Sequence, residues 1–144
     1  MKKIKDKRGI TLVALVITIT IMGIILGIAI SNIDIGADIR NYNNMCADIE
    51  LLEAKVRDYY NNHRDIPKAG EAISGVKGIL DEQANSKDNE NYFQIDLSQI
   101  INVTLNYGGG DVSNRDIYII NEQSHEIYYL KGTTLDGTIY YRKK

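Results

Sequence analysis

Residues 10–33 read ITLVALVITITIMGIILGIAISNI, twenty-four positions without a single charge. As a helix this run extends about 36 Å, enough to cross a hydrocarbon core of about 30 Å with some tilt. A core helix of a soluble domain is seldom apolar on every side for so long. The flanks agree with a span. Lys2, Lys3, Lys5, Lys7 and Arg8 precede it with Asp6 as their only acid, and Asp34 and Asp38 follow it. This excess of basic residues predicts a cytoplasmic N-terminus, with everything after residue 33 outside.

Beyond residue 33 the apolar pattern thins without stopping. Ile39, Tyr42, Met45 or Cys46, Ile49, Leu52, Val56 and Tyr59 recur every three or four residues, the period of an amphipathic helix. Arg40, Asp48, Glu50, Glu53, Lys55, Arg57 and Asp58 fall between them and read as a wet face. No proline interrupts residues 1–66, and Gly36 is the one candidate for a bend. Together the two runs predict one helix over residues 11–62, about 78 Å by rise per residue. Asn61-Asn62-His63 and then Pro67 end it.

Residues 63–91 predict a polar connection, with a short helix or turn around 70–80 and a surface loop over 81–91. Strands rich in Ile, Val, Tyr and Thr are expected at 92–97, 101–105, 116–121, 126–130 and 138–141. Residues 121–125 read as a hairpin loop, and Asp136-Gly137 as a two-residue turn. Each strand shows one apolar face, which the amphipathic half of the helix is placed to cover. The expected class is α+β: a long N-terminal helix, membrane-spanning and then amphipathic, packed on a small C-terminal antiparallel sheet.

Composition excludes several functions. The whole chain carries net −2, while residues 1–9 hold five bases against one acid, so residues 10–144 stand at −6. An acidic body lacks the basic face that phosphate neutralisation needs, so no nucleic-acid partner is expected. Cys46 is the only cysteine, which excludes an internal disulfide and a cysteine-rich zinc site. It falls on the apolar stripe and reads as a buried thiol. His63 and His125 are isolated, with no second ligand at metal spacing. Gly108-Gly109-Gly110-Asp111 lacks the Lys-Ser/Thr of a phosphate loop and reads as a flexible connection. Asp111, Asp116 and Asp136 offer oxygen ligands without a compact calcium motif. Asn102-Val103-Thr104 fits a glycosylation sequon. Tyrosines 118, 128, 129, 140 and 141 read as sheet packing. No triad, paired-acid site or cofactor loop appears, so neither an enzyme, a metal nor a cofactor is expected.

The junction Lys7-Arg8-Gly9-Ile10-Thr11-Leu12-Val13-Ala14-Leu15 is the most informative stretch. A short basic leader ends in glycine, and the next residue opens the apolar helix. This resembles the processing site of type IV prepilins and of the pseudopilins of type II secretion systems. Residues 10–30 look most like those of Gram-positive bacteria. The resemblance implies cleavage between Gly9 and Ile10 by a prepilin peptidase, and N-methylation of the new terminus at Ile10. It divides the chain into a leader (1–9), a transmembrane helix (10–33), its amphipathic continuation (34–62) and a globular head (63–144). It also implies three kinds of partner: other pilin or pseudopilin subunits, an inner-membrane assembly platform and the lipid bilayer. The implied location is the cytoplasmic membrane, and a surface fibre after assembly.

Ala14 departs from the family, which commonly has a glutamate there that pairs with the methylated amine of a neighbouring subunit. Both a major and a minor subunit therefore stay open. Gly23, Gly27 and Ser31 place small residues four apart on one helix face, where close helix packing in a membrane is expected. The competing reading is an extracellular binding domain that does not polymerise, either anchored by a single span or secreted after cleavage near Ala29-Ile30-Ser31.

Overall fold

The computed structural model describes residues 7–80, 83, 84 and 89–144, and within these the side chains of residues 7–10 and 27–35 are left undescribed. Most of the leader (1–6) and part of the expected 81–91 loop lie outside the described residues. Two units divide the chain, Met1–Ala37 and Asp38–Lys144. Helix α1 (Lys7–His63) supplies all the described structure of the first and opens the second. It starts earlier than expected, within the basic leader, and its assignment continues through Gly36. At its far end Arg64 turns left-handed (φ 57°) and donates its N–H to the Tyr60 carbonyl at 2.8 Å, the single-bond left-handed cap that usually employs glycine.

In the second unit Met45, Ile49, Leu52 and Val56 are buried, their spacing of four, three and four drawing one stripe along α1. The stripe packs on a four-stranded antiparallel sheet in the order β1 (Lys68–Ala69), β2 (Tyr92–Ile95), β3 (Tyr118–Asn121), β4 (Ile127–Tyr129). Phe93 stands opposite Ile120, and Ile119 opposite Tyr128. Alternation along the strands sends Ile95, Tyr118, Ile120, Ile127 and Tyr129 into the core shared with α1. Tyr92, Ile119, Tyr128 and Leu130 join a second core with Val76 and Leu80 of the short helix α2 (Val76–Leu80). A separate hairpin, β5 (Thr133–Leu135) and β6 (Thr138–Tyr140), turns at Asp136 (φ 51°) and Gly137 (φ 75°). Both positive angles belong to the turn that Asp-Gly favours between twisted strands.

Three sequence expectations change. First, β3 and β4 bury both faces rather than one, because α2 covers the side away from α1. Continuous apolar runs such as Tyr118-Ile119-Ile120 suit a sheet covered on both faces. Second, residues 101–105 form no strand. Asn102 is left-handed (φ 58°), which breaks an extended run, and Ile101 points to solvent. The strands β1 and β5, two and three residues long, were not anticipated.

Third, Asp48 does not belong to the wet face. It is fully buried, and its carboxylate accepts from the Asn106 N–H (2.8 Å), the Asn106 side-chain amide (3.1 Å), the Tyr107 N–H (2.7 Å) and the Tyr118 hydroxyl (3.0 Å). Burial, and then the adjacent Asp48 charge, hold the Tyr118 hydroxyl far above its usual pKa, so it stays a donor. The loop amides at 106 and 107 thus bond to the helix instead of to a neighbouring strand. Removing the acceptor strands several donors at once, each costing about 1–3 kcal/mol where buried. Asp48→Ala is expected to lower stability by about 2–4 kcal/mol in urea unfolding of the full chain in detergent. Glu53→Ala, on the exposed side of the same helix, is expected to stay within about 0.5 kcal/mol.

Candidate functional site

The described side chains of the first unit present an apolar helix surface. Among the described residues eleven large apolar side chains between Leu12 and Leu26 are 51–66% exposed, and they occupy every side of the helix. Full burial of such a side chain contributes about 1.5–3 kcal/mol, and with a little over half of each exposed the set amounts to roughly 10–20 kcal/mol of unmet burial. Even the hydroxyls here turn inward. Thr18 donates to the Ala14 carbonyl and Thr20 to the Val16 carbonyl, each at 2.8 Å, which satisfies both polar groups within the helix itself. Ala14 adds no charge.

Among the described residues no helix is long and apolar enough to cross a membrane. Described side chains of the uncharged run cover only residues 11–26, short of the about 20 residues a span requires. Gly9 and Ile10 belong to the helical backbone of α1, but the side chain of Ile10 lies outside the described ones, as does that of Ser31. Gly23 stands open, and a Cβ added there would meet nothing within 4 Å.

The remaining candidates of the second unit are spent on structure. His63 stacks on Tyr59 at 4.1 Å and its Nδ1 lies 3.0 Å from the Tyr59 carbonyl, at the end of α1. His125, itself left-handed (φ 61°), packs against Tyr60. Cys46 is half-buried beside Tyr42, and burial raises its thiol pKa. No group of three or more His, Cys, Asp or Glu is arranged to hold a metal among the described residues.

The glycine run is a tightly bonded turn. Gly109 N–H donates to the Asp116 carboxylate at 2.7 Å, Gly110 N–H to the Asp116 carbonyl at 2.8 Å, and the Tyr129 hydroxyl closes on the other carboxylate oxygen. Gly108 (φ 94°) lies under the rings of Tyr118 and Tyr129, where a Cβ would come within 3.1–3.3 Å. A recess of about 370 Å³ lies beside this turn, walled by Ile95, Leu97, Val103 and Leu105. Asp116, the one charged residue in its wall, already has both carboxylate oxygens engaged.

Residues 4–30 match the family model for the prokaryotic N-terminal methylation motif. The chain carries a prepilin-type N-terminus. This motif is consistent with type IV prepilin-like and pseudopilin-like precursors. It implies processing by a prepilin peptidase and N-methylation. The match ends at residue 30, before the second unit begins at Asp38. No curated protein sequence and no solved structure matches the chain.

Sequence reasoning missed Asp48, although its position could have found it. It stands three residues after Met45 and four before Leu52, inside the buried stripe. Asp111 accepts from the Ser113 N–H (3.0 Å), the Ser113 hydroxyl (2.6 Å) and the Asn114 amide (2.6 Å), capping its own 3-10 turn instead of facing a cation. These bonds, the Ser113 hydroxyl first, hold its carboxyl below the ordinary aspartate value of 3.8. A folded value below the unfolded one means the cap contributes at neutral pH and is lost as pH falls through the folded value. Carboxyl titration by NMR is expected to give Asp111 a midpoint under 3.8, and Ser113→Ala is expected to move it back up.

Proposed function

We propose that this chain is a pilin or pseudopilin, the structural subunit of a type IV pilus or a type II secretion-like fibre. It is cut after Gly9, methylated on Ile10, and assembled through its N-terminal helix. The matched motif at residues 4–30, joined to an uncharged run from 10 to 33, is the observation that carries this reading. A basic leader before the run keeps the N-terminus in the cytoplasm and sends the head outside. Cutting at Gly9 removes the basic cluster and keeps the apolar helix.

Assembly then follows from solvent exchange. The side chains between Leu12 and Leu26 need an apolar surrounding, and either lipid or neighbouring helices supply one. Moving from bilayer to fibre core exchanges one apolar medium for another, so extraction costs little burial. In this reading Gly23, Gly27 and Ser31 mark the side on which helices approach closely. The peptidase, sister subunits and a membrane platform are the partners.

Terminal sequencing and mass spectrometry of the mature protein test the reading. The expected first residue is N-methylated Ile10, and Gly9→Ala is expected to leave the leader attached. A mature start at Asn32 would mean a secreted domain, and an intact Met1 a plain anchor. Carbonate extraction is expected to leave the protein with the membrane until it enters fibres, and Ile19→Lys is expected to reduce that retention. One lysine at mid-helix costs about 2.5–3.5 kcal/mol on insertion scales.

A further inference from the structure

The last residues of the chain return to α1, and they do so across the open edge of the sheet. Tyr129, on the outer strand β4, donates its N–H to the Tyr141 carbonyl at 2.8 Å. Arg142 pairs with Glu126 at 3.2 Å and lies over the Tyr128 ring at 5.5 Å. On the helix side, the Tyr140 ring meets Tyr42 edge-on at 5.5 Å, Lys143 reaches Glu50 at 2.7 Å, and the Lys144 N–H donates to the Tyr42 hydroxyl at 2.7 Å. Gln83 closes the far side of the segment. Its amide donates to the Ile139 carbonyl (2.6 Å) and accepts from the Tyr141 N–H (2.9 Å), as a neighbouring strand would.

We infer that residues 140–144 form a strap that opens as one unit, ahead of global unfolding, and that covers both the β4 edge and the α1 face at residues 42–50. The contrast in burial supports a separate unit. Lys143 and Glu50 are 64% and 59% exposed, so their ion pair holds weakly. Ile119 and Ile120 of β3, one strand in from the β4 edge, are fully buried. Segments held by few buried contacts and exposed bonds open at lower free energy than the core. Closed, the strap pairs β4 and denies other chains a bare strand edge. The inference concerns the second unit alone and is independent of fibre assembly.

The chain contains its own reporter. Cys46 is the only cysteine, and it sits one helical turn from each of the strap's helix partners, Tyr42 and Glu50. In the full chain held in detergent, thiol labelling at Cys46 and hydrogen exchange at the Tyr129 N–H both read strap opening. Tyr140→Ala removes the ring contact and leaves the thiol's neighbours in place. It is expected to speed both readouts together, by roughly tenfold, while exchange at Ile119 and Ile120 stays unchanged. Arg142→Ala, which loosens the sheet side only, is expected to act in the same direction by a smaller factor. Equal acceleration at Ile119 and Ile120 would overturn the inference, since opening would then be global. No change at Cys46 and Tyr129 in either variant would overturn it as well.

Discussion

The second unit depends on one carboxylate. Asp48 sits in the second half of α1 and gathers two loop amides, a side-chain amide and a tyrosine hydroxyl from chain 58–70 residues away. An apolar stripe alone allows a helix to rotate or slide on a sheet, since burial has no direction. Four hydrogen bonds to one buried group do have direction, and they fix which residues of α1 face Tyr118. The loop at 106–107 has its amides satisfied by the helix, which frees it from strand pairing. The neighbouring glycine turn repeats the device on a smaller scale, with Asp116 gathering Gly109 and Tyr129.

Much of this architecture was legible in the sequence. An uncharged run of twenty-four residues, followed by a three-four spacing to Tyr59, announces a long helix with two kinds of surface. Asp136-Gly137 announced its turn, because few residue pairs accept two positive φ angles. The β3 and β4 segments were visible through their Ile and Tyr content. Short strands were not visible, because two or three residues carry no period to detect. Asp48 was hidden by its type, since a charged residue between other charged residues on a helix reads as solvated until its partners are known.

The false strand at 101–105 has a similar origin. Ile101, Val103 and Leu105 alternate as a half-buried strand should, yet Asn102 adopts a left-handed angle and Asp48 takes the amides that follow. A local preference lost to a contact more than fifty residues distant. The N-terminal motif behaved in the opposite way. Its reading needs no fold at all, because the match rests on a short stretch of chain, residues 4–30, that ends before the second unit begins.

The inward-turned hydroxyls of Thr18 and Thr20 leave the described apolar surface with no polar handle from these two residues, and Ala14 supplies none. Such a surface tells a neighbour nothing through charge or donor pattern. What it retains is relief: branched isoleucines standing proud on either side of the bare backbone at Gly23. In the proposed fibre, alignment along the axis would be a matter of bumps meeting hollows, a coarse ruler whose marks lie one helical turn apart.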